Sequence, residues 1–84
     1  MHYFYVLQSE SNKEKFYFGC TSDLRQRVRA HNAGESRSIR KNGWRLVYYE
    51  AFLTLSGARE REYRVKHRGS AKRHLIERIA PTLE

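Results

Sequence analysis

The sequence predicts an α+β fold: a small three-stranded antiparallel sheet flanked by helices, in the order ββαβαα. Three observations predict it. Two short aromatic and β-branched runs stand near the N-terminus, separated by polar residues. A third such run lies mid-chain. Around them are three segments with helical spacing, each behind a residue able to cap a helix.

Tyr3-Phe4-Tyr5-Val6-Leu7 is the first strand, because β-branched and aromatic side chains suit a pleated surface. Gln8 to Glu14 is a polar loop, and Lys15-Phe16-Tyr17-Phe18-Gly19 is the second strand. The two form an antiparallel hairpin with a longer than usual loop. Thr21 or Ser22 caps a first helix from Asp23 to Asn32, with Gly34 as its left-handed C′ residue. Glu35 to Gly43 is a polar, basic loop, and Trp44 to Leu53 is the third strand. Ser56 caps a second helix over 57–68. Gly69-Ser70 breaks it, and Ser70 caps a third helix through Ile79.

The 84 residues make one domain, 1–84. At this size folding buries about 60–65% of the surface of the unfolded chain, so the aromatics, 13% of residues, carry much of the core. Seventeen Lys and Arg against nine Asp and Glu give a net charge of +8. Such a small basic domain suits phosphate, with nucleic acid ahead of an anionic membrane as partner. No apolar run approaches a spanning length, and no helix pairs a broad apolar face with a basic one, so no membrane role is expected. Cys20 is the single cysteine, which excludes an intrachain disulfide framework or a Cys-rich zinc site. Tyr3 to Leu7 is too short for a signal-peptide core, and a cytoplasmic location is expected.

Two charged residues sit in apolar stripes. On the first helix Leu24, Val28 and His31 share a face, with Arg27 at its edge. A buried lone arginine is very costly, so Arg27 needs a partner, an open cleft or a route to solvent. On the second helix Ala58, Val65 and Gly69 share a face with Glu62 in its middle, while Glu60 points away. Glu62 can pair with Arg27 structurally, or open into a cleft and hold a divalent cation. On the strands Tyr5 and Tyr17 are expected as cross-strand neighbours, either as packed core or as site residues. Gly19 beside them leaves room for a ligand to approach the backbone.

In order and spacing these segments resemble the GIY-YIG nuclease superfamily, especially its short stand-alone members. Tyr3-Phe4-Tyr5 stands where the family has Gly-Ile-Tyr, keeping only the tyrosine, and Tyr17-Phe18-Gly19 stands for Tyr-Ile-Gly. The stretch from Gly19 to Gly34 is similar to the block in which a strand-ending glycine leads into a helix bearing an essential Arg and a His. Leu46-Val47-Tyr48-Tyr49-Glu50 resembles the third strand, and Ala58 to Lys66 the helix presenting the metal-binding Glu, here Glu62. Ala71 to Ile76 resembles the last helix. Ala80 precedes Pro81 where related short proteins usually have Asn.

The resemblance implies an endonuclease that hydrolyses phosphodiester bonds, with DNA favoured over RNA and DNA repair as a setting. Its implied catalytic residues are Tyr5, Tyr17, Arg27, His31 and Glu62. Glu62 would bind Mg²⁺ or Mn²⁺, Arg27 would hold the phosphate with its planar fork, and Tyr5 or Tyr17 would activate the water. A phenol needs a lowered pKa to act as a base near neutral pH. His31 is an alternative proton relay.

A rival reading is a non-catalytic nucleic-acid-binding module on the same fold. Arg37, Arg40, Lys41 and Arg45 surround the second loop, near Trp44 and Tyr48, a pattern suited to phosphate contact and base stacking. With Lys66 and Lys72 on the later helices, they are the expected nucleic-acid contacts. The alternative for Trp44 is a place in the core. Cysteine-dependent hydrolysis through Cys20 and His31 has no oxyanion site to support it.

Overall fold

β1 (His2–Ser9) is the middle strand of a sheet ordered β2-β1-β3, with β2 (Phe16–Thr21) and β3 (Trp44–Phe52) antiparallel to it. The computed structural model describes residues 1–33 and 43–83. Its helices are α1 (Leu24–Asn32), α2 (Leu55–His67) and α3 (Gly69–Ile79), followed by a short 3-10 turn, Ala80–Thr82. The α+β class and the order ββαβαα are as the sequence indicates.

A middle strand between two layers must be apolar on both faces, and β1 is buried from Phe4 through Ser9. Phe4 and Val6 pack with Phe18 against Val65 of α2 and Leu75 and Ile79 of α3. Tyr5 and Leu7 pack with Trp44, Tyr17 and the α1 residues Leu24 and Val28 on the other face. The sheet is therefore a partition between a two-helix layer and a one-helix layer. A bulge between Val6 and Leu7 puts an extra residue, Val47, into β3. Gly43 (φ +88°) leads into β3 in a conformation that favours glycine.

The helix starts differ from expectation. Asp23, not Thr21 or Ser22, caps α1, and its carboxylate accepts the Gln26 N–H at 3.1 Å. The Thr21 hydroxyl is engaged with the Asp23 backbone, so it caps nothing. Thr54 rather than Ser56 caps α2, accepting the Gly57 N–H at 3.1 Å. The residue before α3 is Arg68, which makes no side-chain cap bond. Trp44 is only 6% exposed and Tyr48 is packed against the α2–α3 core, so neither offers a free stacking face. That places Trp44 in the core. No helix among the described residues is long and apolar enough to cross a membrane.

Candidate active site

Strand register brings the two candidate tyrosines together. Tyr5 pairs with Gly19 and Leu7 with Tyr17, so the two tyrosines are diagonal neighbours, not direct partners. Their ring centroids are 6.4 Å apart. A Cβ on Gly19 would stand 2.5 Å from the Tyr5 hydroxyl oxygen and 2.7 Å from the ring carbon that carries it. Glycine is thus required there because the Tyr5 ring lies across it. The space expected for a ligand is filled by that ring.

α1 supplies His31, 3% exposed, at the point where its apolar stripe meets the sheet. The Tyr5 hydroxyl and His31 Nε2 are hydrogen-bonded at 2.9 Å. The imidazole stands edge-on to Tyr17, with centroids 4.7 Å apart. His31 Nδ1 finds no partner among the described residues. Burial, and then the positive charge of Arg27, hold the His31 pKa below its ordinary value, so the ring is neutral at neutral pH. Burial, followed by the neighbouring Tyr17 phenol, pushes the Tyr5 pKa well up. The lowered pKa that a phenol base needs is not found at Tyr5: the Arg27 charge acts in that direction, but desolvation is larger. Tyr5 is 2% exposed, whereas Tyr17 is half-buried and reaches solvent.

Arg27 is exposed at the rim, near enough for its charge to act on both Tyr5 and His31. It makes no ion pair among the described residues. It is neither buried nor the partner of Glu62.

Glu62 arrives from the opposite layer. Phe18 faces α2, and Cys20, two residues on, shares its side of β2. Glu62 lies beside Cys20, and its carboxylate accepts a hydrogen bond from Lys66 Nζ at 2.5 Å. Lys66 in turn sits 6.0 Å from the Tyr17 ring centroid, and the Glu62 charge is felt at Tyr5. The five residues therefore gather around the β2 edge and do not share one face of the sheet. The Glu62 side chain is 23% exposed. Burial raises its pKa, but Cys20, Lys66 and Arg59 together outweigh that, and the net effect is a lowering that keeps the carboxylate anionic. Burial and then the facing carboxylate push the Cys20 thiol up to about 12. It is protonated at neutral pH and unsuited to nucleophilic attack.

Among the described residues no three of His, Cys, Asp and Glu gather to hold a metal. Glu62 alone is a sparse donor set. It still fits a hard divalent cation, which keeps several waters and binds through one or two carboxylates plus substrate phosphate.

Of the expected nucleic-acid contacts, Arg45, Lys66 and Lys72 are described. Arg37, Arg40 and Lys41 lie outside the described residues, as does Gly34. Arg45 donates to Gln8 Oε1 at 2.7 and 3.1 Å and is half-buried. Lys66 belongs to the Glu62 cluster, and Lys72 is exposed with its Nζ 5.7 Å from the Phe18 ring centroid. The parts played by Lys66 and Cys20 at Glu62 were missed. The helical spacing of Glu62 and Lys66 could have shown the ion pair. Nothing in the sequence marked Cys20, because its contact depends on which way β2 faces.

A family model described as the GIY-YIG catalytic domain matches residues 1–74. Over 67 residues the chain is 40% identical to a UPF0213 protein of Haloquadratum walsbyi, covering 77% of this chain and 73% of that relative. The UPF0213 protein YazA of Bacillus subtilis is 34% identical over 76 residues, covering 88% and 75%. The solution NMR structure of a UPF0213 protein from Bacillus halodurans matches with a TM-score of 0.54 at 34% identity, over 90% of this chain and 82% of that one. The family match spans Tyr5, Tyr17, Arg27, His31 and Glu62 alike, and the chain belongs to the GIY-YIG catalytic-domain family, whose members are usually nucleases.

Proposed function

We propose that this protein is a divalent-metal-dependent endonuclease that hydrolyses phosphodiester bonds in nucleic acid, DNA in preference to RNA. The observation that carries the reading is the hydrogen-bonded Tyr5–His31 pair, packed against a solvent-reaching Tyr17 and flanked by Arg27 and Glu62. A buried imidazole with a nitrogen that finds no partner among the described residues is costly as mere packing.

In this reading Arg27 receives the scissile phosphate. It is exposed, uncommitted among the described residues and planar, so its fork matches two phosphate oxygens. Tyr17 orients the attacking water, because it is the tyrosine that solvent reaches. Tyr5 holds its proton at neutral pH and acts as a positioning residue, fixing the His31 ring through Nε2. The neutral His31 is the better proton acceptor of the cluster. Glu62 is the residue that would hold Mg²⁺ or Mn²⁺, which when bound neutralises charge on the phosphate and assists the leaving oxygen.

A specific observation favours a second reading, the non-catalytic binding module. Glu62 is already neutralised by Lys66, so it can serve as a structural ion pair. One experiment separates the two. Labelled linear and branched substrates are incubated with the protein in Mg²⁺, Mn²⁺ or EDTA, beside the variant Arg27→Lys. The nuclease reading expects cleavage that EDTA abolishes and that Arg27→Lys loses in large part, with binding kept. Binding with no cleavage under any metal supports the module instead.

A further inference from the structure

α2 has two polar flanks, and the candidate active site uses only one. Ala58 and Val65 mark its buried stripe. On one side of that stripe stand Glu62 and Lys66, which meet β2. On the other, Arg61 and Arg64 share a flank at i and i+3, and Arg68, the extended residue between α2 and α3, lines the same cleft. α3 lays Ser70, His74 and Arg78 opposite them at intervals of four. The two sets line one cleft of about 370 Å³, a size that admits a small ligand group.

We propose that this cleft between α2 and α3 is a second phosphate-binding surface, which holds the backbone of a nucleic-acid strand away from the tyrosine cluster. The charges in it are unequally committed. Arg61 is bound through two nitrogens to Glu50, at 2.9 and 3.0 Å, and Glu50 also accepts from the Tyr48 hydroxyl. That network forms the cleft wall and leaves Arg61 little freedom. Among the described residues Arg64 is tied only to Glu60, with both side chains more than half exposed, and an ion pair of that kind is weak and screened. Arg68 is exposed and in no ion pair among the described residues. Arg78 lies against the Tyr48 phenol. Glu77 on α3 is matched by Arg73 at 3.8 Å and adds no net charge. Four arginines (Arg61, Arg64, Arg68, Arg78) against two carboxylates (Glu50, Glu60) leave two positive charges at an open cleft. Guanidinium groups that can be drawn from weak pairs suit phosphate oxygens.

The inference rests on the reading that the chain acts on nucleic acid. Both flanks belong to one helix, about 10–12 Å across with its side chains. At about 3.4 Å of rise per phosphate, a strand of three or four nucleotides covers that width. A strand reaching past Lys66 can thus place further phosphates at Arg64 and Arg68. A free phosphate or small phosphorylated ligand offers the same chemistry, and the test separates the two sources.

The variant is Arg64→Gln with Arg68→Gln. Both residues are exposed and outside the catalytic cluster, and an unchanged melting temperature checks the fold. Affinity for a labelled oligonucleotide is measured by anisotropy at several salt concentrations. Amide shifts of the ¹⁵N-labelled parent are mapped with the oligonucleotide and separately with inorganic phosphate. The proposal expects affinity to drop about tenfold or more at low salt. It expects the log–log salt slope to shrink by about 1.4 to 1.8, two phosphate contacts at about 0.7 to 0.9 each. It also expects the oligonucleotide to shift Ser70, Ala71 and His74. Unchanged affinity and slope in the variant overturn it, as do shifts at the cleft with inorganic phosphate but none with the oligonucleotide. A parent that binds through the cleft yet never cleaves removes the nuclease reading and supports this one. A parent that binds no nucleic acid overturns this one outright.

Discussion

The two faces of β1 are equally buried and chemically unlike. Toward α2 and α3, Phe4 and Val6 meet Phe18, Val65, Leu75 and Ile79, an apolar cluster bordered by the Glu50–Arg61–Tyr48 network. Toward α1, Tyr5 and Leu7 meet Trp44, Tyr17 and a histidine, and the burial includes a hydroxyl and an imidazole. The first face stabilises the fold by removing apolar surface from water, roughly 25 cal/mol per Å². The second gives up part of that gain to hold polar atoms in one arrangement. An 84-residue chain with a limited core can do this because the opposite face carries a continuous apolar cluster. The sheet thus sets a buried hydrogen-bonded cluster on the α1 side, while the α2 layer supplies both the apolar core and Glu62.

Phe4→Ala tests that division at its strongest point. Phe4 is fully buried and stacked on Phe18, with centroids 6.3 Å apart. Its loss is expected to cost about 3–5 kcal/mol in denaturant unfolding, enough to bring a small domain close to unfolding. A cost below about 1 kcal/mol would mean that the α2–α3 face is not where stability resides.

Gly19→Ala is expected to have the next largest effect, and on the other face. The added methyl would meet the Tyr5 hydroxyl, so the ring must move and the bond to His31 must stretch or break. Overpacking of this kind costs about 1–3 kcal/mol. The Tyr5 and His31 side-chain NMR signals should shift with it. An alanine variant with parental stability and unmoved signals would show that the ring yields freely, which contradicts a rigid Tyr5–His31 pair.

The third test sharpens the comparison through pH. The folded-state pKa of His31 lies below its ordinary value of 6.5, through burial and then Arg27. The unfolded chain takes up that proton first as pH falls. The stability linked to neutral His31 is therefore complete above about pH 6.5 and lost as the pH drops through the lower folded value. Unfolding curves between about pH 7 and pH 5 should show this loss in the parent, and less of it in His31→Gln. Equal pH dependence in both would place the titrating group elsewhere.

The sequence shows some of this plainly and hides the rest for identifiable reasons. The alternation in Tyr3 to Leu7 was enough to place Phe4 and Tyr5 on opposite faces, and both faces proved to be buried because β1 lies in the middle. Helical spacing marked Arg27, His31 and Glu62 as unusual, and His31 is indeed turned inward. Spacing within an element cannot say which layer that element joins. Glu62 therefore approaches the tyrosines around the β2 edge, with Lys66 and Cys20 as neighbours. Nor can propensity choose among adjacent capping residues. Asp23 wins over Ser22, while the Thr21 hydroxyl is taken by the Asp23 backbone. The two-residue diagonal offset between Tyr5 and Tyr17 follows from hairpin register, which a long loop leaves open in sequence.

Glu62→Gln tests the central claim, that the β2 edge is a metal-dependent cleavage centre, most directly. Gln keeps the size and hydrogen-bonding capacity of Glu but loses the charge that attracts a divalent cation and pairs with Lys66. Cleavage rate in Mg²⁺ and Mn²⁺, nucleic-acid affinity and melting temperature are measured on one preparation. The account predicts that cleavage is abolished, that affinity is unchanged or higher because an anion has left a basic surface, and that the melting temperature barely moves. The Lys66–Glu62 pair is partly exposed, and exposed pairs contribute about 0–1 kcal/mol. Cleavage that continues at the parental rate, or a collapse in melting temperature with cleavage lost only through unfolding, would contradict the account and make Glu62 a structural residue.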